Sequence, residues 1–293
     1  MKKSDFDKLL RQNIIDVTGK NDFGYFITDK VEPYHNYYNN KVFQTFLNEM
    51  KSSYPAAYRS YDTGKGSELE CKNGRYGLTP PKMASVASSS RFCYLALRNG
   101  AHALGSNDIV EFECEQRITG ISGNAPQLDA HIPDKNIFVE AKCHEIFDPH
   151  TVVLKDKYWH LIYGTDNAFG FSEIEKPATE TFEIPLSIFG IEKTHSMFDI
   201  KQLLCHLLGI ASQKQNTESA TLLYLFFKPK ANSVEKENEI NTVFDALQDE
   251  IVKIFNSVPI QNFIHNKNIQ LKALAEYAQI MEPLNANNIL ELT

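Results

Sequence analysis

The sequence predicts an α/β protein in which strands and helices alternate along the chain. Three observations carry this. First, Gln127-Leu128-Asp129-Ala130-His131-Ile132 and Ile137-Phe138-Val139-Glu140-Ala141-Lys142 both alternate polar and apolar residues, with Pro133-Asp134-Lys135-Asn136 between them. Strict alternation marks a half-buried strand, and Pro, Asp and Asn mark the turn of a hairpin. Second, Thr221-Leu222-Leu223-Tyr224-Leu225-Phe226-Phe227 is a nearly continuous apolar run, the pattern of a central strand covered on both faces. Third, Ile200, Leu203, Leu204, Leu207, Leu208 and Ala211 recur at helical spacing.

The remaining elements follow in chain order. Ser4 to Val17 reads as an amphipathic helix with Ser4 as its N-cap. A tyrosine-rich stretch follows (Tyr25, Tyr34, Tyr37, Tyr38, Tyr54, Tyr58, Tyr61), with Lys30, Lys41, Lys51, Arg59 and Lys65 interleaved. It is read either as a helical subdomain packed by aromatics or as a base-stacking, phosphate-holding surface. Thr79-Pro80-Pro81 precedes a helix expected over 81–103. A strand is expected over Ile109–Ile118, with Val110, Phe112 and Cys114 on one face and Glu111, Glu113, Glu115 and Arg117 on the other. Residues 146–198 mix Tyr158, Trp159, Tyr163, Phe169 and Phe171 with Gly and Pro, and read as an insertion that recognises substrate or forms a dimer surface. Asp199 stands as N-cap of the leucine-striped helix, and Pro229 ends the following strand. Helices are expected over 234–257 and over Leu271–Ile280. No linker separates these parts. The expectation is one domain over 1–293: a helical, aromatic N-terminal extension (1–80), a core (81–230, with the 146–198 insertion) and a C-terminal helical annex (231–293).

The hairpin carries the chemistry. If Ile132 pairs with Ile137, Asp129 stands opposite Glu140 and Gln127 opposite Lys142. Leu128, Ala130, Ile132, Ile137, Val139 and Ala141 then form a wholly apolar opposite face. Two facing carboxylates repel each other, and a cation between them relieves the repulsion. Hard ions such as Mg²⁺ take one or two carboxylates plus water and phosphate oxygens. Lys142 shares the face of Glu140, because side chains on a strand repeat every second residue. Carboxylates, a metal-bound water and a lysine beside phosphate suit phosphodiester hydrolysis.

Asp129 followed by Glu140-Ala141-Lys142 on the next strand resembles the PD-(D/E)XK nuclease superfamily, the restriction endonuclease-like group. The resemblance covers about residues 80–230. It implies a core ordered helix, three antiparallel strands, helix, strand, with a central mixed sheet of four to five strands flanked by helices. It implies that Asp129 and Glu140 bind the metal, that the carbonyl of Ala141 is a further ligand and that Lys142 activates water. Gln202 best matches the helix residue that relatives place beside the metal. Two departures stand out. Leu128 rather than proline precedes Asp129, and no glutamate lies between Lys82 and Leu104, where relatives often carry one. The activity implied is a Mg²⁺-dependent endonuclease, with Mn²⁺ substituting, acting on duplex DNA in a restriction-type role as a homodimer. The alternative is a non-catalytic nuclease fold that binds nucleic acid or serves assembly.

Further candidates surround this set. Glu113 is a metal or second carboxylate candidate if its face matches that of Asp129, and otherwise part of a solvated face. Arg91 is read as a phosphate contact or as a helix-pairing arginine. His131 and His144 have the parity to touch phosphate or water. Lys201 lies off the leucine stripe and is a candidate nucleic-acid contact.

A second Glu-x-Lys, Glu70-Cys71-Lys72, runs into Asn73-Gly74-Arg75-Tyr76-Gly77 and reads as a solvated loop. Net charge is −7, against the trend for nucleic-acid binders. Its distribution is uneven: residues 1–105 hold 15 Lys/Arg against 10 Asp/Glu. Five scattered cysteines without a Cys-x-x-Cys pair point to a reducing cytoplasm rather than a disulfide scaffold. No apolar run suits a membrane span, so no membrane partner is expected.

Overall fold

The computed structural model describes residues 1–27, 34–64, 68–74, 77–107, 109–121, 123, 125–148, 150–151, 153–163, 169–171, 183–189, 195–213, 219–278 and 283–293. Its centre is a six-stranded mixed sheet flanked by helices. The sheet strands are β1 (Glu111–Glu115), β2 (Gln127–Ile132), β3 (Ile137–Lys142), β4 (Ala220–Lys228), β5 (Ile269–Tyr277) and β6 (Leu290–Glu291), and they lie side by side in chain order. β1, β2 and β3 form an antiparallel meander. β4 runs parallel to both β3 and β5, and β6 closes the far edge antiparallel. Parallel neighbours need crossover connections. Residues 143–219, which include α6 (Ile200–Gln213), join β3 to β4, and α7 (Val234–Phe255) and α8 (Val258–Asn266) join β4 to β5.

Sequence patterns account for most elements. β4 is buried almost throughout, as a strand between two parallel neighbours requires. Asp199 caps α6, its Oδ1 accepting from the Gln202 amide at 3.0 Å. Ser233 caps α7 by accepting from the Lys236 amide, with Glu235 and Glu237 in the first turn where the helix dipole favours acids. α1 (Lys3–Thr18) buries Phe6, Leu9, Leu10 and Ile14, and ends at Gly19 in the left-handed region. It begins one residue before Ser4, which therefore lies inside the helix and does not cap it.

Three expectations are corrected. The helix over 81–103 is shorter: a 3-10 turn at Lys82–Ala84, then α4 (Ser89–Leu97), then a second 3-10 turn at His102–Leu104. Ser85 and Ser88 break the run, since the Ser85 hydroxyl takes the Ala87 amide and the Ser88 hydroxyl takes the Arg91 amide. The strand over 109–118 narrows to β1. The helix expected over Leu271–Ile280 is strand β5 up to Tyr277, and Gln279 and Ile280 lie outside the described residues. Its Ala, Leu and Glu favour helix, but Ile269, Gln270, Leu271, Lys272 and Ala273 alternate inward and outward. Parallel pairing with β4 from Ala220↔Ile269 to Lys228↔Tyr277 overrides propensity. The C-terminal annex read as helical thus also supplies two sheet strands.

The N-terminal tyrosines are largely core. With α2 (Asn40–Ser53) and α3 (Pro55–Thr63), Phe46, Tyr54 and Tyr61 set their rings edge-on around Tyr94 of α4. Lys30 and Lys65 lie outside the described residues. In the 146–198 insertion, Trp159 and Tyr163 belong to the short helix α5 (Trp159–Tyr163) and pack together. Phe169 stacks on Phe263 of α8 with ring centres 4.4 Å apart. Those aromatics fasten the insertion to the fold.

Candidate functional site

The site is built on the β2–β3 hairpin. Asn136 takes the left-handed conformation that closes the turn. Ile132 pairs with Ile137, His131 with Phe138 and Ala130 with Val139, the expected register. Leu128, Ala130, Ile132 and Val139 are fully buried on the apolar face. Beyond Val139 the regular ladder gives way to a side-chain bridge: Asp129 Oδ2 accepts from the Ala141 amide at 2.7 Å. The carboxylate occupies a position between the strands that a backbone carbonyl fills in a regular sheet.

Glu140, 3% exposed, is the hub. Its Oε1 accepts from Lys142 Nζ at 2.6 Å and from Gln202 Nε2 at 2.7 Å. His206, one turn beyond Gln202 on α6 and therefore on the same face, places Nε2 3.2 Å from Glu140 Oε2. That contact lies off the line of a hydrogen bond. Glu140 Oε2, both His206 ring nitrogens and the hydroxyl of Tyr224 are buried without a hydrogen-bond partner among the described residues. Tyr224 is the register neighbour of Glu140 on β4. Buried polar atoms are nearly always satisfied, so this cluster is the unusual feature of the molecule.

Glu113 completes the acidic side. It has φ +54, a left-handed conformation that disfavours a side chain by roughly 1–2 kcal/mol. The β1–β2 pairing runs through Phe112↔Ala130 and Cys114↔Leu128 and skips Glu113, the residue level with Asp129. Gly64, at the end of α3, makes room for it: a Cβ there would stand 3.0 Å from Glu113 Oε2. Glu68, 4% exposed, lies near enough to raise the Glu113 pKa. Its Oε1 pairs with Lys82 at 3.0 Å, and its Oε2 is buried with no hydrogen-bond partner among the described residues.

These surroundings separate the carboxyls. Burial pushes Glu140 up, but Lys142 and His206 outweigh it and hold the group at about 2. Burial and the Glu140 charge drive Asp129 well above the usual carboxylate range, against the pull of Lys142 and the Ala141 amide. Burial, then Glu68, raise Glu113 to about 7, with Lys82 opposing. Burial lowers Lys142, but Glu140, Glu145 and Asp129 more than reverse it and keep the ammonium charged.

The site therefore joins Asp129, Glu140, Lys142 and Gln202, with Glu113 coupled to them electrostatically. The other candidates are placed differently. Arg91 is 4% exposed and spends its guanidinium on the carbonyls of Met83 and Val86, stacked over Tyr38. It is a core arginine, because a buried guanidinium needs carbonyl partners. His131 lies against Phe138 and 3.0 Å from Glu111. His144 pairs with Asp7 of α1 at 2.7 Å. Lys201 is half-buried one turn from Cys205. Glu145 accepts from Ser89 and from the Cys143 amide.

Glu68, His206 and Tyr224 are not among the site residues that the sequence singles out. His206 had a legible signal in its spacing from Gln202. Tyr224 had its place in the apolar strand, and Glu68 is, with Glu70, the acid nearest the helix that lacks a glutamate.

The donors suit a hard divalent cation: carboxylate oxygens, two of them (Glu140 Oε2 and Glu68 Oε2) buried without a hydrogen-bond partner among the described residues, in a cluster whose mutual repulsion a cation relieves. Among the described residues no three His, Cys, Asp or Glu side chains already converge as a cage. No helix among them is long and apolar enough to cross a membrane. No family model, no curated protein and no solved structure matches the chain.

Proposed function

We propose that the chain is a divalent-metal-dependent endonuclease of the PD-(D/E)XK type that hydrolyses phosphodiester bonds in DNA. One observation carries the reading: a hairpin in the expected register brings Asp129, Glu140 and Lys142 to one face, and α6 adds Gln202 to Glu140. The element order supports it, since α4, the β1–β3 meander, α6 and β4 follow the sequence implied by the resemblance.

Asp129, Glu140 and the carbonyl of Ala141 would hold Mg²⁺ or Mn²⁺, with Glu113 and Glu68 behind them. The bound ion would supply Lewis acidity toward a water and the scissile phosphate. The chain supplies the rest. Gln202 and Lys142 fix the rotamer of Glu140 and keep it ionised. The Lys142 ammonium donates toward the attacking water and the developing charge on phosphate. Glu113, which burial and Glu68 hold up at about 7 in the metal-free protein, would give up its proton as the cation binds. Cleavage of both strands of a duplex, the restriction-type role, calls for a homodimer.

The reading is tested by incubating the full chain with duplex DNA, single-stranded DNA and RNA, with Mg²⁺, Mn²⁺ or EDTA. Wild type is compared with Glu140→Gln and Lys142→Ala. Metal-dependent cleavage of duplex DNA that both substitutions abolish is the expected result. A non-catalytic nucleic-acid-binding module has one observation on its side, the Lys142–Glu140 pair that closes the site on itself. Metal binding without cleavage of any substrate selects that module and overturns the nuclease.

A further inference from the structure

A cavity of about 490 Å³ lies between α2 and α4, away from the carboxylates. It has the size of a small-molecule site. On α4, Arg91, Leu95 and Arg98 line it, three residues that fall on one helical face. Cys93, which feels the charges of Asp129 and Glu140, falls on the opposite face. One helix thus separates two chemically different places.

The lining combines flat apolar surface with excess positive charge. Phe46 and Tyr38 are half-buried along it, and Phe43 stacks on Phe46 with centres 6.0 Å apart. Arg98 has a side chain only 8% exposed and pairs with Glu49 at 3.0 Å. Its Nε is buried with no hydrogen-bond partner among the described residues. Lys20 and Lys41 are exposed at the rim, and neither ammonium makes an ion pair among the described residues. With the Arg91 guanidinium turned to the Met83 and Val86 carbonyls, Lys20, Lys41 and Arg98 face two carboxylates, Asp22 and Glu49, and Glu49 is already engaged. In a chain of net charge −7 this local reversal favours an anion. Lysines act as point charges for phosphate, and aromatic rings accept a base by stacking.

We infer that this cavity binds a nucleoside monophosphate, with the base against Phe46 and the phosphate toward Lys20 and Lys41. The same chemistry is presented by a free mononucleotide and by the 5′-phosphorylated end of a strand. The inference does not rest on the nuclease reading.

The test is isothermal titration of the full chain in EDTA, so that metal at the carboxylates plays no part. The probes are adenosine and thymidine 5′-monophosphates, adenosine, inorganic phosphate and a 5′-phosphorylated oligonucleotide. Saturable binding of the monophosphates is expected, at least about tenfold tighter than adenosine or phosphate alone. Lys41→Glu combined with Lys20→Glu should weaken it by at least about tenfold, and Phe46→Ala should weaken it as well. Both lysines are exposed, so the double variant should keep the wild-type melting curve. The inference is overturned by absence of monophosphate binding, by binding that the lysine substitutions leave unchanged, or by adenosine binding as tightly as its phosphate. An oligonucleotide that binds where the monophosphates do not overturns the free mononucleotide in favour of a strand end.

Discussion

The chain carries the same tripeptide spacing twice, in Glu70-Cys71-Lys72 and in Glu140-Ala141-Lys142, and the fold treats the two in opposite ways. Glu70, Cys71 and Lys72 are exposed beside a small hairpin of Lys72–Gly74 with Gly77–Thr79. Glu140 is buried between β2 and β4, and its lysine, glutamine and histidine neighbours surround one carboxylate. Burial makes the difference, because charges interact weakly in water and strongly where water is excluded. The motif acquires chemistry only where a sheet removes its solvent and a helix supplies partners.

Substitutions made in parallel in the two copies sharpen that contrast. The largest expected effect is on activity. Glu140→Gln keeps the shape of the side chain and removes its charge, and Lys142→Met removes the ammonium. Each should lower metal-dependent DNA cleavage by roughly 10²–10⁴-fold. Glu70→Gln and Lys72→Met should stay within about twofold of wild type. Equal losses in both copies, read as initial rates on one duplex, would remove the distinction. Stability should follow the same division. Glu140→Ala strands a buried lysine and should lower unfolding free energy by about 3–5 kcal/mol. Glu70→Ala should change it by no more than about 0.5 kcal/mol. Urea denaturation of the metal-free protein measures both.

The contrast also shows how far the sequence could be read. Alternation and turn chemistry gave the hairpin its register, and with it Asp129, Glu140 and Lys142, since these are local signals. The α6 stripe and the Asp199 cap were equally local. What failed was set by long-range pairing. β5 has helix-forming residues and becomes a strand because β4 offers a parallel edge. Glu68 reaches the carboxylates through a loop whose path no pattern encodes. The left-handed turn at Glu113 interrupts a strand whose residues alternate without a break in the sequence, and of the two readings of Arg91 the phosphate contact gives way because the Met83 and Val86 carbonyls hold its guanidinium.

A third experiment breaks the comparison from the side of charge. In the metal-free protein Glu113 holds a proton up to about pH 7, while in the unfolded chain it releases it in the ordinary glutamate range. The folded state binds more protons in that window, so stability should fall as pH rises from the ordinary glutamate range through about 7. Under the proposed function a divalent cation would replace that proton. The gain in melting temperature on adding Mg²⁺ should therefore be larger above about pH 7 than near the ordinary glutamate range. A gain that does not change with pH would mean that the cation binds away from Glu113.

The smallest effect expected lies at Lys82. Its ammonium pairs with Glu68 at 3.0 Å and lowers the pKa of Glu113 against burial, yet its side chain is 63% exposed. An exposed partner is screened by solvent and contributes little to folding, so Lys82→Ala should leave the urea midpoint almost unchanged. Its influence on proton affinity is not lost in the same way, because Glu68 and Glu113 both lie on the buried side. Removing the ammonium leaves two carboxylates facing each other with less compensation, and Glu113 should hold its proton to higher pH. The alkaline shift should appear both in the pH dependence of the Mg²⁺-induced stabilisation and in the acidic limb of the cleavage profile. Lys72→Ala, one residue from Cys71 on the exposed copy, should move neither. An acid shift in Lys82→Ala would show that Glu113 answers to a different neighbour and would separate Glu68 from the site.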